Sequence, residues 1–367
     1  MNTFGENIKL TVFGQSHAAC IGAVIDGLPA GTPIDMEYID NIMKLRAPGQ
    51  SRLATKRKEP DKVEFISGVV DGKTVGTSVC AVIYNSDTHS SDYSNLLNKP
   101  RPSHADYPAM IRYGKNYDLR GGGQFSGRLT APLCIAGAIA LYLLEKKGIF
   151  IASHVLSVGK ISDVPFSPTD DECELLKNLS QMSFAVIDSE VKEKMSEEIL
   201  EVSKRLDSVG GVIECKVIGL PAGVGEPMFG GMENAISKII FGIPAVKGIE
   251  FGAGFEGSKM YGSQYNDSYY YDNDGKIRTY TNNTGGICGG MTTGMPLIFR
   301  AAVKPTPSIA SVQKTVDLSK NENTEIQING RHDPCIAVRA CTVVRAAAAF
   351  AVLDMLCAQN DINNILK

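Results

Sequence analysis

The sequence predicts an α+β fold. Three features carry that prediction: β-rich runs come in adjacent hairpin-like pairs, long apolar helices stand in separate blocks, and no regular strand–helix–strand alternation runs along the chain. Near the N-terminus, Ile8–Phe13 and Ile21–Ile25 are apolar runs of strand length, the second followed by Asp26-Gly27. Val63–Val70 and Lys73–Tyr84 form the next pair, separated by Asp71-Gly72, a dipeptide suited to a type I′ turn. Leu129–Lys147 predicts a buried helix, with Pro132 in its first turn, Lys146 and Lys147 at its end, and Gly148 as its stop. Between Ser189 and Val209, apolar residues recur at Val191, Met195, Ile199, Val202, Leu206 and Val209. These gaps of three and four mark one face of an amphipathic helix, closed by Gly210-Gly211. Ile213, Cys215 and Val217 then alternate with Glu214 and Lys216, the pattern of a half-exposed strand. From Pro334 an alanine-rich helix reaches about Gln359, and Arg339, Arg345 and Asp354 within it argue for packing in protein. The polar, tyrosine-rich stretch Tyr261–Tyr280 predicts a mobile surface loop. No low-complexity linker interrupts the chain, so residues 1–367 are expected to form one domain.

The composition narrows the class. The chain has 367 residues, 43% of them hydrophobic, enough for one large core or two modest ones. Its start, MNTFGENIKL, lacks the basic segment and apolar run of a secretory signal. The longest uncharged apolar stretch, Leu129–Leu144, falls short of the roughly 18 residues that mark a membrane span. A soluble, cytoplasmic protein without a membrane partner is expected. Nine cysteines without any CxxC pair, several inside apolar runs (Cys80, Cys134, Cys215, Cys357), fit free thiols in a reducing compartment.

Some motifs mislead. Gly68–Thr74 resembles a phosphate-binding P-loop but is one residue short between its glycines, and a hairpin turn explains it. No GxGxxG fingerprint follows a strand, so a Rossmann site has no support. His17/Cys20 and His332/Cys335 could together offer four zinc ligands, but both cysteines lead into apolar sequence, and no metal is expected. Lys44, Arg46, Arg52, Lys56, Arg57 and Lys58 make a basic run without an intervening acid. No aromatic residue interleaves it and the net charge is −3, so nucleic acid is not the expected partner.

Other segments point to anion chemistry. Of five histidines, His17, His104 and His332 stand among small residues and turn formers, where a side chain can reach a cleft and move protons. His89 and His154 lack such a setting and are read as structural. Arg120–Arg128 (RGGGQFSGR) joins glycines, a hydroxyl and two flanking guanidinium groups ahead of a helix. Glycines admit a ligand close to the backbone, a helix start favours an anion, and arginine grips phosphate or carboxylate. Thr284–Gly294 is a second glycine-rich stretch, and Lys304, Pro305, Thr306, Pro307 and Ser308 place a cation and hydroxyls in a rigid turn. Two anionic ligands sharing one site would account for so many anion-holding segments.

In FGQSH, RAPGQSR with KEPD behind it, HADY, YDLRGGG, NNTGGICGG, KPTPSI and GRHDPCIAVRA, the chain resembles the chorismate synthases, from Thr3 to about Met355. The resemblance implies a homotetramer whose subunit is a β-α-β sandwich, with antiparallel sheets inside and helices outside. It implies reduced FMN, the substrate 5-enolpyruvylshikimate 3-phosphate, and a 1,4-anti elimination of phosphate that yields chorismate for aromatic amino acid biosynthesis. The hydrogen removed is not acidic, so the reduced flavin lends an electron and recovers it, with no net redox change. No pyridine-nucleotide module is present, so NADPH is expected to act only through an external flavin reductase. By the same resemblance His17 is the acid that meets the departing phosphate. His104 sets protonation at the flavin, and Asp333 helps to remove the substrate proton. Arg46, Arg52 and Arg331 hold anions. Ser126, Ala245, Gly289 and Lys304–Ser308 contact the flavin, while His332 is structural. The chain departs from the family pattern at Gln15, Ala47, Gln124, Leu129, Asn283 and Arg345, several of which replace charged residues. The alternative they raise is a flavin- and phosphate-binding relative with impaired turnover.

Overall fold

A computed structural model describes residues 2–49, 61–85, 98–116, 118–328 and 333–359. Among them, strands β1 (Thr3–Phe4), β2 (Lys9–Gly14), β3 (Cys20–Asp26), β4 (Glu64–Ser67) and β5 (Val79–Tyr84) form an antiparallel sheet of order β1-β2-β3-β5-β4. A second antiparallel sheet contains β6 (Phe150–Val158), β7 (Ile161–Ser162), β8 (Gly211–Ile218), β9 (Val246–Phe251) and β10 (Leu297–Val303), in the order β9-β10-β8-β6-β7. The α-helices of seven residues or more are α1 (Met36–Arg46), α2 (Asp106–Tyr113), α3 (Thr130–Lys146), α4 (Cys173–Leu179), α5 (Ser189–Lys204), α6 (Met232–Ile240) and α7 (Ala337–Gln359).

The α+β class and the sandwich hold, but the layer order is the reverse of the expected one. Helix α3 packs on β2, β3 and β5, α7 packs on β6 and β8, and the two helices pack on each other. Helices α3 and α7, with α1 and α6 packed against α7, are therefore the middle layer and the sheets flank them. The cause is composition: α3 is apolar on every side, and a helix without a polar face must be enclosed. Gly137 marks the closest approach, since a Cβ there would come within 2.6 Å of the Ala346 carbonyl carbon. Arg120–Lys146 and Ala337–Ala358 are both long and apolar enough to cross a bilayer, yet 83% and 94% of their apolar windows are buried inside the fold.

Local chemistry explains most boundaries. Asp71 and Gly72 both take positive φ (49° and 71°), as a type I′ turn requires, and they join the short ladder Val69–Val70 to Lys73–Thr74. The P-loop-like segment is thus a hairpin. Helix α1 is capped by Asp35, whose carboxylate accepts from the Tyr38 N–H at 2.9 Å, and buries Ile39, Ile42, Met43 and Arg46 along one face. Helix α5 ends at Lys204 rather than running to Val209, because Leu206 turns into the left-handed region at φ 59°.

Strand β8 is buried on both faces rather than half-exposed, since Glu214 and Lys216 are fully buried in polar contacts. The Glu214 carboxylate accepts from His154 at 3.1 Å and from Arg300 at 2.9 Å, while the Lys216 ammonium donates to Glu172 at 2.6 Å. Tyr261–Tyr280 is ordered: Tyr269–Tyr271 pairs with Ile277–Thr279, Tyr270 stacks on Tyr280, and Asp267 accepts from Thr281, Asn283 and Thr284.

Candidate active site

The site is built where three glycine- and proline-marked segments meet the open end of the helical layer. Residues 120–128, 101–105 and 304–308, with Ile243–Lys247 and the start of α7, enclose a cavity of about 620 Å³. The size suits a cofactor together with a small substrate. Among the described residues six cations line it, Arg46, Arg101, Arg128, Lys247, Lys304 and Arg339, against one carboxylate, Asp333.

The glycine turn separates two histidines. Gly121, Gly122 and Gly123 all take positive φ (60°, 82° and 53°), a path that side chains disfavour. A Cβ on Gly121 would come within 2.5 Å of His17 Nδ1 and of Ser16 Oγ, so the His17 ring packs directly on that glycine. A Cβ on Gly122 would instead lie 3.4 Å from His104 Nε2. The Ser16 N–H donates to the Gly123 carbonyl at 3.2 Å and ties the His17 segment to the turn. Next to the turn, hydrogen bonds from Arg120 hold the Asp118 carboxyl below its usual range against the effect of burial, and His17 adds to this.

His104 belongs to a buried network. Its Nδ1 is 2.6 Å from Asp106 Oδ1, and Asp106 also accepts from Arg101 Nε at 2.7 Å and from Nη2 at 2.8 Å. Burial alone would raise the Asp106 pKa, but the hydrogen bonds from Arg101 and His104 outweigh it and hold the carboxyl well below the usual carboxylate range. Arg101 Nη1 reaches Ser308 Oγ at 3.2 Å, and Lys304 Nζ donates to the Ser103 carbonyl, so the two loops are joined across the cavity wall. Burial, followed by the nearby charge of Lys247, lowers the Lys304 pKa.

A second network sits opposite. Arg46 Nη1 donates to Asp61 at 2.8 Å, its Nε and Nη2 both reach Thr130 Oγ1 at 3.2 Å, and Nη2 also donates to the Gly127 carbonyl at 2.9 Å. Asp61 also binds Arg128. Asp333 accepts from Arg339 Nη1 at 2.5 Å. The hydroxyl of Thr306, in the cavity wall, is buried and has no hydrogen-bond partner among the described residues.

The cavity thus gathers Arg46, His104, Ser126, Ala245, Lys304, Thr306, Pro307, Ser308 and Asp333, with His17 behind Gly121. Pro305 is exposed beside it, and Gly289 sits in the hairpin between Cys288 and Met291, outside the cavity lining. Arg52, Arg331, His89 and His332 lie outside the described residues, as do Lys56, Arg57 and Lys58. No group of three or more His, Cys, Asp or Glu side chains among the described residues could hold a metal.

A family model described as chorismate synthase matches residues 8–357. The chain belongs to the chorismate synthase family. It is 44% identical to the chorismate synthase of Methanosarcina barkeri, covering 99% of this chain and 98% of that one. It is 46% identical to that of Methanobrevibacter smithii, covering 96% and 95%. A crystal structure of a chorismate synthase shares the fold, with a TM-score of 0.75 at 24% identity over 97% of this chain and 93% of the other. Chorismate synthases are lyases, and this chain is an enzyme of that class.

The departures from the chorismate synthase pattern fall in different places. Gln124 lines the cavity. Arg345 is buried in α7, where Nε donates to the Ile151 carbonyl at 2.8 Å and Nη1 to that of Ser180 at 3.1 Å. Asn283 donates to the Tyr265 carbonyl at 3.0 Å within the tyrosine-rich segment. Neither Arg345 nor Asn283 is part of the cavity lining. Sequence reasoning missed Arg101 and Asp106, although the spacing RPSHAD, with cation and carboxylate flanking His104, was the available signal. It also missed Asp61 as a clamp on two arginines.

Proposed function

We propose that this protein eliminates phosphate from 5-enolpyruvylshikimate 3-phosphate in a 1,4-anti sense, with reduced FMN as cofactor, to give chorismate. The observation that carries the reading is one cavity in which a cationic wall, a glycine turn between two histidines and a carboxylate converge, in a chain of this family.

The residues fit the flavin. The Thr306 hydroxyl is buried in the wall without a partner among the described residues, the glycine turn admits a ligand against backbone, and Ala245 takes an unusual φ of 73° beside the cavity. Ser126, Ala245, Lys304, Thr306 and Ser308 would hold the cofactor, and Pro305 and Pro307 keep that turn stiff. When bound, the reduced flavin supplies an electron that weakens the bond between substrate carbon and phosphate oxygen.

The chain supplies the proton chemistry. His17 delivers a proton to the phosphate oxygen as the C–O bond breaks. Asp333, with Oδ2 anchored by Arg339, takes the proton from the substrate carbon. His104 governs protonation beside the cofactor. Arg128 and Arg339 orient the substrate anions, with Arg52 and Arg331. Arg46 acts with them by holding Asp61 and the Gly127 carbonyl.

Residues 1–367 are read as one domain, supported by a core cluster that runs through both sheets and the helices between them. The active form is read as a cytoplasmic homotetramer supplied by a separate flavin reductase. The test is anaerobic turnover with chemically reduced FMN and the enolpyruvyl phosphate, following phosphate and chorismate together. Equal release of both is expected. Flavin and substrate binding without release would overturn the lyase reading, and aerobic turnover on NADPH alone would overturn the separate reductase.

A further inference from the structure

The described reaction assigns a task to His104 but leaves open what keeps its ring in the correct protonation pattern. Asp106 is fully buried at the first residue of α2, and its two oxygens accept from the Arg101 backbone N–H at 3.1 Å, from Arg101 Nε and Nη2, and from the His104 ring. Arg101 Nη2 also lies 3.1 Å from His104 Nδ1. Those two neighbours make opposite demands on Nδ1. An arginine can only donate, and would need a lone pair there; an ionised carboxylate can only accept, and needs a hydrogen. The carboxylate is the nearer by half an ångström, at 2.6 Å, and a lone pair set against it at that distance would be repelled. The hydrogen is therefore on Nδ1. In the neutral ring the lone pair is then on Nε2, on the edge facing Gly122. Arg101 locks this arrangement by gripping both Asp106 oxygens and Ser308.

We propose that Asp106 is a positioning residue for His104, selecting the tautomer with Nδ1–H and an Nε2 lone pair turned toward the glycine turn. The proposal deepens the lyase reading and rests on it for the importance of His104. Asn at 106 keeps the shape but offers one oxygen in place of two. Arg101 claims that oxygen, the amide N–H faces Nδ1, and the hydrogen moves to Nε2.

The test uses the full-length protein labelled with 15N-histidine, its ring nitrogens observed above the ordinary histidine titration range and the His104 signals assigned by their loss in His104→Ala. Wild type is expected to show protonated Nδ1 and unprotonated Nε2, and Asp106→Asn the reverse. Protonated Nε2 in the wild type overturns the proposal, whether or not the variant folds, and so does an unchanged tautomer in Asp106→Asn. The kinetic counterpart is a loss of roughly 10²-fold or more in kcat for Asp106→Asn with substrate KM little changed. In the His104→Ala background the second substitution is expected to cost nothing further, and an additive loss would mark a structural role instead. Absence of turnover in the wild type would remove the lyase reading and leave the tautomer result standing.

Discussion

Replacing Gly121 by alanine separates the placement of His17 from the stability of the turn that supports it. The new Cβ would come within 2.5 Å of His17 Nδ1 and of Ser16 Oγ, where ordinary contact begins at 3.4 Å. Ser16 is fully buried and tied to Gly123, so the partly buried ring of His17 is the side chain that gives way, and it must retreat by roughly an ångström. A displacement of that size in a reacting group costs about 10²-fold in rate. The substitution also forces a side chain into the left-handed region at φ 60°, at about 1–2 kcal/mol. Gly122→Ala is the control. It carries the same backbone penalty at φ 82°, but its Cβ meets His104 Nε2 at an ordinary 3.4 Å. Both variants are expected to melt a few degrees below wild type. Only Gly121→Ala should lose kcat in the anaerobic phosphate-release assay at saturating reduced FMN. Rates for the two variants within about threefold of each other would refute the reasoning, because displacement of His17 would then cost nothing beyond strain.

Three further outcomes follow from the buried chemistry. His154 is fully buried with Nδ1 3.0 Å from Asp163 and Nε2 3.1 Å from Glu214. Burial favours the neutral ring, but the two carboxylates outweigh it and raise the His154 pKa, while those of Asp163 and Glu214 are lowered. The His154 contribution is complete below its unfolded value of about 6.5 and is lost as pH rises through the higher folded value; the carboxylate contributions are complete above about 4 and are lost as pH falls through their lower folded values. Urea midpoints should therefore peak between these limits, and His154→Ala, which takes the imidazolium from two buried carboxylates that keep their other donors, should cost about 3 kcal/mol and remove the alkaline decline. An alkaline decline that persists unchanged in the variant would exclude His154 as its source. Thr306→Val removes a hydroxyl without a described partner, so the melting temperature of the ligand-free protein should hold, while FMN affinity falls about fivefold, or about 1 kcal/mol. Unchanged affinity by flavin titration would take Thr306 out of the binding site. Gly137→Ala gains about 1 kcal/mol in helix propensity but sets a methyl against the Ala346 backbone, a rigid neighbour, so overpacking of about 1–3 kcal/mol should prevail. A higher melting temperature would contradict that close approach.

The parts of the fold legible in the sequence were those fixed by short-range chemistry. Asp71-Gly72 announced its turn because both positions need positive φ, and Gly148, at φ 76°, ends α3 as expected. Helix α1 went unread, although Asp35 caps it and Ile39, Ile42, Met43 and Arg46 lie on one face, because an arginine at a buried position breaks the apolar count. Strand β8 was misread for a related reason. Alternation reports which side chains share a face, not whether that face meets water, and Glu214 and Lys216 face partners that arrive from distant segments. The layer order had a signal in the uniform apolarity of α3, which a helix on the outside cannot sustain.

The site followed the same division. Glycines, prolines and histidines in RGGGQFSGR, RPSHAD and KPTPS marked the cavity walls, since those residue types act through their own backbone or ring. The arginines were harder, because what a guanidinium does depends on who already holds it. The family resemblance implied Arg46 as an anion contact, yet it is 3% exposed and its donors are engaged by Asp61, Thr130 and Gly127. Arg128 shares Asp61, Arg101 is gripped by Asp106, and Arg339 binds Asp333. Each of these four arginines therefore contacts a carboxylate that fixes its planar fork, and the three carboxylates offset part of their charge. Among the described residues Lys247 and Lys304 have no such carboxylate. Their compact ammonium groups are suited to follow a phosphate, while Arg128 and Arg339, fixed by their carboxylates, present rigid forks to the substrate anions. The attraction the cavity exerts on an anion is accordingly smaller than its six described cations imply.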